Sequence, residues 1–340
     1  MPNCSIVIPV WNQTDATIKC LKSIITHTEY PHEIIIIDNA SKQENISLLE
    51  TFLSKHAKNN AVQVIKNQTN EGFIKAVNKG IKQSKSDFIC VMNNDTLATQ
   101  GWLSELVNIL SNNPDIAVLN PSSNNLGQKP NTDESIDDYA VGFKEDKGKF
   151  VESPLCVGFC MLFKKALIDE IGLFDESYGM GNFEDSDFSM KARQKGYICA
   201  RSLGSYVYHD ENSSFRFLNS YKHEFNKNKR LFESRWGKKK RYLFALKKAS
   251  SVNLFNKTVK NSSFDGAFIY IIASFNFPYE KSDRKDIYLI NYKSFFNLSI
   301  FLKILFRKKR YSVVYYDNDN LKSLLTVLKA VRRIDEAHKI

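Results

Sequence analysis

The chain contains 340 residues, of which 43% are hydrophobic and 25% are charged, and its formal net charge is +11. This composition is that of folded globular domains and excludes an intrinsically disordered chain. The length suits two domains, and no apolar run approaches the roughly 20 residues that a membrane-spanning helix needs.

Strand-like and helix-like segments alternate through the first half of the chain. Buried strands are predicted at "CSIVIPV", "HEIIIIDNAS", "VQVIKN" and "FICVM", with helices between them at "TDATIKCLKSIITHT", "ISLLETFLSKHA" and "GFIKAVNKGIKQS". Apolar strands that alternate with helices indicate a parallel sheet covered on both faces. In such a sheet, ligands bind beyond the carboxyl ends of the strands.

Polar residues follow three of these predicted strands, at Trp11-Asn12, Asp38-Asn39 and Asn93-Asn94-Asp95. The carboxylate of Asp95 suits a hard divalent cation whose other ligands would be diphosphate oxygens and water. The alternative is structural, because Asp95 or Thr96 could instead start the helix that contains "WLSELVNIL".

Two further polar features lie beyond residues 121–150, which are predicted as a loop or insert. Glu184 and Asp185 begin a helix that ends at Gly196, and adjacent carboxylates raise each other's pKa, which suits one of them to act as a general base. Acidic residues at a helix start also complement the helix dipole, so a structural role stays open. His209 ends the strand in "YVYHDENSSF" and becomes a metal-ligand candidate only if the fold brings it near Asp95.

The character of the chain changes near residue 250, which predicts a main domain at 1–250 and a small α/β appendage at 251–340. Strands are predicted at "AFIYIIASF", "DIYLINY" and "YSVVYYDND", and helices at "KSFFNLSIFLKILFRKKR" and "NLKSLLTVLKAVRR". The first of these helices is interpreted as a core helix packed on "YSVVYYDND", with an interfacial membrane helix as the alternative.

A basic segment precedes the appendage, since residues 221–250 hold eleven Lys and Arg against two Glu. Such a segment fits an anionic membrane surface, or else a solvated helix face. No nucleic-acid recognition motif accompanies the charge, so we expect no nucleic-acid partner. The start "MPNCSIVIPVWNQTD" lacks the features of a signal peptide and the six cysteines are scattered, which predicts a cytoplasmic protein, peripheral at the inner face of the cell membrane.

Eight segments in order resemble family-2 glycosyltransferases of the GT-A fold, as found in bacterial surface-glycan synthesis. They are "SIVIPVWNQ", "IIIIDNAS", "NEGFIKAVNKGI", "FICVMNNDT", "CVGFCMLFKK", "IGLFDESYGMGNFEDSDFSMKARQKGY", "YVYHDENSSF" and "FESRWGKK". The resemblance implies a doubly wound mixed sheet of the nucleotide-diphospho-sugar transferase type. It also implies transfer of a sugar, usually with inversion, from a UDP- or dTDP-linked donor to a glycan or lipid-linked acceptor in polysaccharide biosynthesis.

The resemblance implies a role for each matching residue. The residues that would bind the nucleotide-sugar are Pro9, Val10, Asn12, Asp38, Asn70, Gly72, Asn78, Asn93 and Asn94. The ligands of a divalent metal, Mn²⁺ or Mg²⁺, would be Asp95 and His209. Asp185 would be the base that deprotonates the acceptor hydroxyl, and Glu184 would tune it or hold the acceptor. Arg193 matches a basic residue found later on the same helix.

The chain departs from the family pattern at two places. Asn93 stands where the first acid of the Asp-x-Asp motif is expected, which implies fewer charges on the metal. Arg235-Trp236 is preceded by Phe232 rather than by the Gln of processive polymerases, so we expect a non-processive enzyme.

Two other classes of function compete with this interpretation. A catalytically inactive protein of the same fold could bind a nucleotide-sugar or a carbohydrate without turning it over. A sugar nucleotidyltransferase would need a Gly-rich phosphate loop near the first strand, and "IPVWNQTD" contains none.

Overall fold

The computed structural model describes residues 4–57, 61–210, 221–238, 240–261, 267–278, 287–291 and 295–340. The chain divides into two compact units, Met1–Trp236 and Gly237–Ile340. The division falls after Trp236 rather than after residue 250, because the strand Arg241–Leu246 hydrogen-bonds within the sheet of the second unit. The polar loop predicted after His209 lies outside the described residues.

The first unit is an α/β sandwich around one mixed sheet. Its strands are β1 Cys4–Val10, β2 His32–Asp38, β3 Ala61–Lys66, β4 Phe88–Met92, β5 Thr96–Ala98, β6 Ile116–Ser122, β7 Phe150–Ser153, β8 Cys160–Lys164 and β9 Ile198–His209. Its helices are α1 Thr14–His27, α2 Gln43–His56, α3 Phe73–Gln83, α4 Trp102–Asn112, α5 Ile136–Val141, α6 Leu167–Ile171, α7 Glu184–Gln194 and α8 Tyr221–Trp236.

The strand order is β3-β2-β1-β4-β8-β6-β9-β5, with β7 added on β9. β1 to β4 are parallel, whereas β8 runs antiparallel to both β4 and β6. The sheet is therefore doubly wound and mixed, as the sequence predicts. β6, α5 and β7 were not predicted. α5 lies within 121–150 and β7 begins at its end, where polar turn residues hide short elements, and the apolar run of β6 is cut short by Asn120, Pro121 and Ser122.

Continuous apolar strands form the centre because both faces of the sheet are covered. Alternate residues of β1 and β2 enter two separate clusters, with Ile6 and Ile34 on one face and Val7 and Ile35 on the other. This follows from the two-residue period of a strand. Helices α1, α2 and α4 supply the first cluster, and α3, α6 and α7 supply the second.

The second unit contains a five-stranded parallel sheet of order β12-β11-β10-β13-β14 among the described residues. Its strands are β10 Arg241–Leu246, β11 Phe268–Ala273, β12 Ile287–Asn291, β13 Tyr311–Tyr316 and β14 Ile334–Lys339, and its helices are α9 Ser251–Asn261, α10 Phe296–Leu305 and α11 Lys322–Ala330. β10 and β14 were not predicted. Leu243 and Phe244 enter opposite core clusters, so this sheet is also covered on both faces.

Candidate active site

The carboxyl ends of β1, β2 and β4 meet at one edge of the first sheet, because the three strands are parallel and in register. Val10 lies beside Asp38 in the pairing of β1 with β2, and Pro9 and Val10 are buried there. Asp38 is only 2% exposed, and its Oδ1 accepts a hydrogen bond from the backbone N–H of Ser41. Its Oδ2 has no hydrogen-bond partner among the residues that the structure describes.

Asn12 fixes the turn that follows β2. Its backbone N–H donates to Ser41 Oγ at 2.7 Å, and its Oδ1 accepts from the N–H of Lys42 and from the amide of Asn45. Asn12 has a φ of 55°, in the left-handed region that Asn tolerates better than most residues. The side chain therefore shapes the edge of the sheet beside Asp38.

Asn39 organises the loop that contains Asn70 and Gly72, a role that was not predicted from the sequence. Its Nδ2 donates to the carbonyl of Gly72 at 3.0 Å, and its Oδ1 accepts from Asn67 Nδ2 and from the N–H of Glu71. Asn70 closes the turn by accepting from the N–H of Gly72. The position of Asn39 directly after Asp38, at the end of a strand, was the sequence signal that could have identified Asn39.

Gly72 cannot carry a side chain without a rearrangement. Its φ is +86°, and a Cβ atom would lie 3.0 Å from Sδ and 3.1 Å from Cα of Met180. The N–H of Phe73 also donates to the carbonyl of Met180 at 3.3 Å. The loop beside the sheet edge is thus in direct contact with the segment that leads to Glu184.

Asp95 and His209 are neighbours in space, as the metal-ligand interpretation requires. Strand β5 pairs antiparallel with β9, which places Thr96 opposite His209. Nε2 of His209 lies 3.1 Å from Oδ1 of Asp95 and 3.4 Å from Nδ2 of Asn93. The side chain of Asp95 is 5% exposed and that of His209 is 12% exposed. The adjacent Asn94 donates to Thr17 Oγ1 at 2.9 Å and braces the turn.

The helix-cap alternative for Asp95 is wrong. Strand β5 lies between Asp95 and helix α4, and α4 is preceded by Gly101 without any side-chain cap. Thr96 Oγ1 donates instead to the carbonyl of Asn93. The carboxylate of Asp95 is therefore not needed to satisfy the start of α4.

The donor set suits a divalent cation. Two ligand atoms that each lie about 2.1 Å from an ion at right angles are about 3.0 Å apart, close to the separation of Asp95 Oδ1 and His209 Nε2. A carboxylate with an imidazole fits manganese better than calcium. In the described part of the chain, no three His, Cys, Asp or Glu side chains form a complete metal cluster. Such an ion would need further ligands from a substrate or from water.

Asn125 contacts Nδ1, the second nitrogen of the His209 ring. Its Nδ2 lies 3.0 Å from His209 Nδ1, and its Oδ1 is buried without a partner among the described residues. With Nδ2 donating, the ring proton sits on Nε2 and faces Asp95. A half-turn of the amide would let Oδ1 accept a hydrogen bond from Nδ1–H and leave the Nε2 lone pair free for a metal. The ring also stacks on Phe159, with centroids 5.4 Å apart.

Glu184 and Asp185 begin helix α7 and line one cavity of about 320 Å³. Oδ2 of Asp185 accepts from the N–H of Gly158 at 2.9 Å, and Oδ1 accepts from the N–H of Ser186 at 2.6 Å. Burial raises the pKa of Asp185, while these hydrogen bonds oppose the rise. Asn93 and His209 line the same cavity, so the proposed base and His209 converge on it.

Glu184 is 7% exposed, and its Oε2 has no hydrogen-bond partner among the described residues. Burial, together with the neighbouring charge of Asp185, raises the pKa of Glu184 to about 8. Glu184 therefore holds a proton at neutral pH, and Asp185 can ionise beside a neutral neighbour.

Helix α8 is fastened to α7 through Asp187, which is fully buried. Oδ1 of Asp187 accepts from Tyr178 Oη at 3.1 Å, from Trp236 Nε1 at 2.8 Å and from Arg235 at 3.3 Å, and Oδ2 pairs with Lys191 at 3.1 Å. The Arg235-Trp236 pair in "FESRWGKK" was noted from the sequence, but its partner Asp187 was not.

The side chain of Asn78 makes its hydrogen bonds within the protein. Its side chain donates to the carbonyl of Phe174 and to Glu176, and its Oδ1 accepts from the N–H of Phe174. All these hydrogen bonds stay within the protein and tie α3 to the segment before α7. The amide of Asn78 therefore helps to hold α3 against this segment, and its contact with a nucleotide-sugar stays a prediction. Arg193 lies in the last turn of α7, where a cation complements the helix dipole.

A second cavity of about 490 Å³ lies on the other side of the Asp95–His209 pair. Asp95 lines it together with Lys19 of α1 and Lys129 of the segment before α5. The pair thus stands between two cavities, with Asp95 facing one and His209 facing the other.

Comparison with known proteins shows the family of the chain. Residues 5–172 match the model of glycosyl transferase family 2. Through these residues, the chain belongs to glycosyl transferase family 2. The chondroitin synthase of Pasteurella multocida (strain Pm70) is 24% identical to this glycosyltransferase chain in an alignment of 242 residues, which covers 61% of this chain and 24% of the synthase.

Two solved structures share the fold of the glycosyltransferase unit. A mannosyltransferase from Pyrobaculum calidifontis, in complex with GDP-Man and Mn²⁺, has a TM-score of 0.50 at 17% identity and covers 64% of this chain and 59% of its own. TarS from S. aureus, residues 1–349 in complex with UDP-GlcNAc, has a TM-score of 0.50 at 18% identity. The match covers 69% of this chain and 66% of the TarS chain. The first unit therefore has the GT-A fold. The chain spans less than two thirds of each of these three proteins.

Proposed function

We propose that this protein is a metal-dependent, inverting and non-processive glycosyltransferase that transfers a sugar from a nucleotide-sugar to a glycan or lipid-linked acceptor. The observation that carries the proposal is the convergence of Asp185 and His209 on one cavity, with Asp95 3.1 Å behind the imidazole. A base on one side and a cation site on the other are what displacement of a diphosphate requires.

The nucleotide binds at the edge formed by β1 and β2. Asp38 keeps one buried carboxylate oxygen without a partner among the described residues, and this oxygen is an acceptor for the imide N–H of uracil or thymine. This supports a UDP- or dTDP-linked donor, and TarS, a structural neighbour, is in complex with UDP-GlcNAc. Asn70 and Gly72 form the loop beside it, and the missing side chain of Gly72 lets this loop pack directly on Met180 of the segment before Glu184.

A divalent ion, Mn²⁺ or Mg²⁺, is held by Asp95 and His209, with Asn93 and Asn94 shaping the turn. When bound, the ion neutralises the charge that develops on the departing nucleoside diphosphate. The Pyrobaculum mannosyltransferase, in complex with Mn²⁺, supports this assignment by fold. Asn93 in place of an acid leaves the site with one carboxylate, which supports modest affinity in the absence of the diphosphate.

Asp185 acts as the general base. Its carboxylate takes the proton of the acceptor hydroxyl, whose oxygen then bonds to the anomeric carbon while the bond from that carbon to the diphosphate oxygen breaks. The attack comes from the face opposite the leaving group, so the configuration inverts. Gly158 and Ser186 hold the carboxylate by their N–H groups, which fixes the direction in which it points.

The setting of the reaction is polysaccharide assembly at the inner face of the cell membrane. The similarity to a chondroitin synthase supports a polysaccharide product. In the described part of the chain, no helix has the length and apolar character needed to cross a bilayer. A single transfer per encounter is supported by Phe232, which stands where processive polymerases carry Gln.

A panel of nucleotide-sugars tests the proposal, with Mn²⁺ or Mg²⁺ and without metal. Donor hydrolysis and thermal stabilisation would be measured on wild type, Asp95→Ala, Asp185→Asn and the control Asp169→Ala, whose carboxylate is exposed on α6. We expect one donor to be turned over only with metal, and both active-site variants to lose activity by roughly 10²–10⁴-fold.

The competing function is a binding protein of the same fold without catalysis. Stabilisation by a donor in the absence of any turnover, with or without added acceptor glycans, would favour that function and contradict ours. Turnover that survives both Asp95→Ala and Asp185→Asn would also contradict the proposed site.

A further inference from the structure

Helix α10 of the second unit is apolar on both sides. Its inner side packs into the core through Phe296, Ile300 and Ile304, which confirms the prediction of a core helix beside the strand "YSVVYYDND". Its outer side carries a second apolar stripe, called here the α10 outer face. This face consists of Phe295, Leu298, Leu302 and Phe306, which are 82%, 54%, 41% and 76% exposed.

Four consecutive cations follow the α10 outer face directly. Arg307 lies over the rings of Tyr270 and Tyr311, with its guanidinium carbon 4.2 Å and 4.8 Å from their centroids. Lys308, Lys309 and Arg310 are exposed, and Arg310 forms an ion pair with Asp335 at 3.3 Å. Residues 295–310 contain no Asp or Glu, so the positive charge beside the stripe is not offset within this segment.

The neighbouring helix α11 adds further exposed apolar side chains and cations. It packs on α10 and exposes Val327 and Val331 beside the exposed cations Lys329 and Arg332. Soluble proteins seldom expose large apolar side chains in a continuous stripe unless the stripe meets a partner. The aromatic rings at both ends of α10, next to lysines, are the composition of helices that lie in a membrane interface.

We propose that the second unit docks on an anionic lipid bilayer through the α10 outer face. Phe295, Leu298, Leu302 and Phe306 enter the boundary between headgroups and acyl chains, and Lys308 and Lys309 contact lipid phosphates. Charge complementarity selects the bilayer over a protein partner, because the stripe is bordered by cations alone within its own segment. The docking does not depend on the transfer chemistry of the first unit.

Co-sedimentation of the full chain with lipid vesicles tests this inference. The vesicles contain phosphatidylcholine alone or phosphatidylcholine with an equal part of phosphatidylglycerol. The variants are Phe295→Ser/Phe306→Ser, which removes the exposed rings, and Lys308→Glu/Lys309→Glu, which reverses the charge. Two matched controls lie in the first unit, Leu48→Ser at a 56% exposed leucine of α2 and Lys222→Glu/Lys227→Glu on α8.

We expect wild type to bind the anionic vesicles, with each α10 variant weakened at least about 10-fold and with both controls unchanged. Donor hydrolysis should be the same in all variants, which separates lost docking from lost folding or lost catalysis.

Four results would overturn the inference. One is the absence of vesicle binding, and another is equal binding by wild type and the α10 variants. A third is loss of binding only in the α8 control, which would assign the membrane contact to the basic helix. The fourth is conversion of a dimer to a monomer by Phe295→Ser/Phe306→Ser in size-exclusion chromatography, which would make a second copy the occupant.

Discussion

Asn228 of helix α8 donates its side-chain amide to the carbonyl of Gly181 at 2.7 Å and, with equal length, to the carbonyl of Tyr178. The segment it holds leads directly into Glu184 and Asp185. Gly181, Asn182 and Phe183 have φ values of 134°, 76° and 74°, and for Asn182 and Phe183 the left-handed region carries strain. One buried amide therefore keeps a strained approach to the proposed base in place.

We expect Asn228→Asp to lower kcat for donor turnover by about 10-fold with a smaller change in KM, because a carboxylate would repel the two carbonyls and release the segment. The control is Asn226→Ala, which removes an exposed amide two residues away on the same helix. A change in melting temperature without any change in kcat would show that Asn228 serves stability alone.

Gly72→Ala should impair the protein more than Gly148→Ala. Both glycines have positive φ, +86° and +78°, but only a Cβ at Gly72 meets other atoms within 4 Å, chiefly those of Met180 and also the carbonyl oxygen of Gly179. The shared backbone strain costs about 1 kcal/mol in each variant, so the difference between the two melting temperatures reports the contact with Met180. We also expect a raised KM for the donor in Gly72→Ala alone. Equal melting temperatures and equal KM values would mean that Met180 moves aside freely.

Glu184 makes stability fall as the pH rises. Its pKa in the folded protein, about 8, lies above the ordinary value of 4.5. The contribution of Glu184 to the free energy of unfolding is therefore complete below pH 4.5 and is lost as the pH rises through about 8. Glu184→Gln mimics the protonated form and should remove this loss. The advantage of Gln over wild type in melting temperature should therefore grow between pH 6 and pH 9.

Glu44→Gln, at an exposed position in the first turn of α2, is the matched control and should show no such trend. If Glu184→Gln also keeps most of the transfer activity at pH 7, the neutral form is the working form. An inactive but folded Glu184→Gln would show instead that an ionised Glu184 is required.

Asn125→Ala should weaken metal binding by about 10- to 100-fold, because the His209 ring loses the partner that holds its orientation. Isothermal titration of Mn²⁺ in the presence of a nucleoside diphosphate measures this without any turnover. Asn131→Ala, in an exposed part of the same segment, is the control. An unchanged affinity in Asn125→Ala would remove Asn125 from the proposed metal site.

The sequence predicted the strands that end in polar residues because a doubly wound sheet leaves a clear pattern. Cys4–Val10 and His32–Asp38 are apolar throughout or nearly so, and their polar ends mark the ligand edge without any knowledge of contacts. Asp95 and His209 were predicted as a pair only through resemblance, and the β5–β9 pairing places them together.

Other residues of the site could not be predicted from the sequence. Asn125, Asp187 and Asn228 act through hydrogen bonds to residues 84, 49 and 47 positions away, respectively. No local pattern encodes such distant partners. The hydrogen bond of the Asn78 amide to Phe174, 96 positions away, is another such distant contact. Strand β14, "IDEAHK", lacks the apolar character of an inner strand because it lies at the edge of its sheet.

Because β5 pairs antiparallel with β9, the site depends on the number of residues in β9 as well as on the identity of its side chains. His209 is the last residue of a twelve-residue strand, and side chains along a strand alternate between its faces. Deleting one residue in the middle of β9 would turn the imidazole to the opposite face of the sheet or break the pairing with Thr96. Such a deletion would abolish the Asp95–His209 pair with every proposed catalytic residue still encoded.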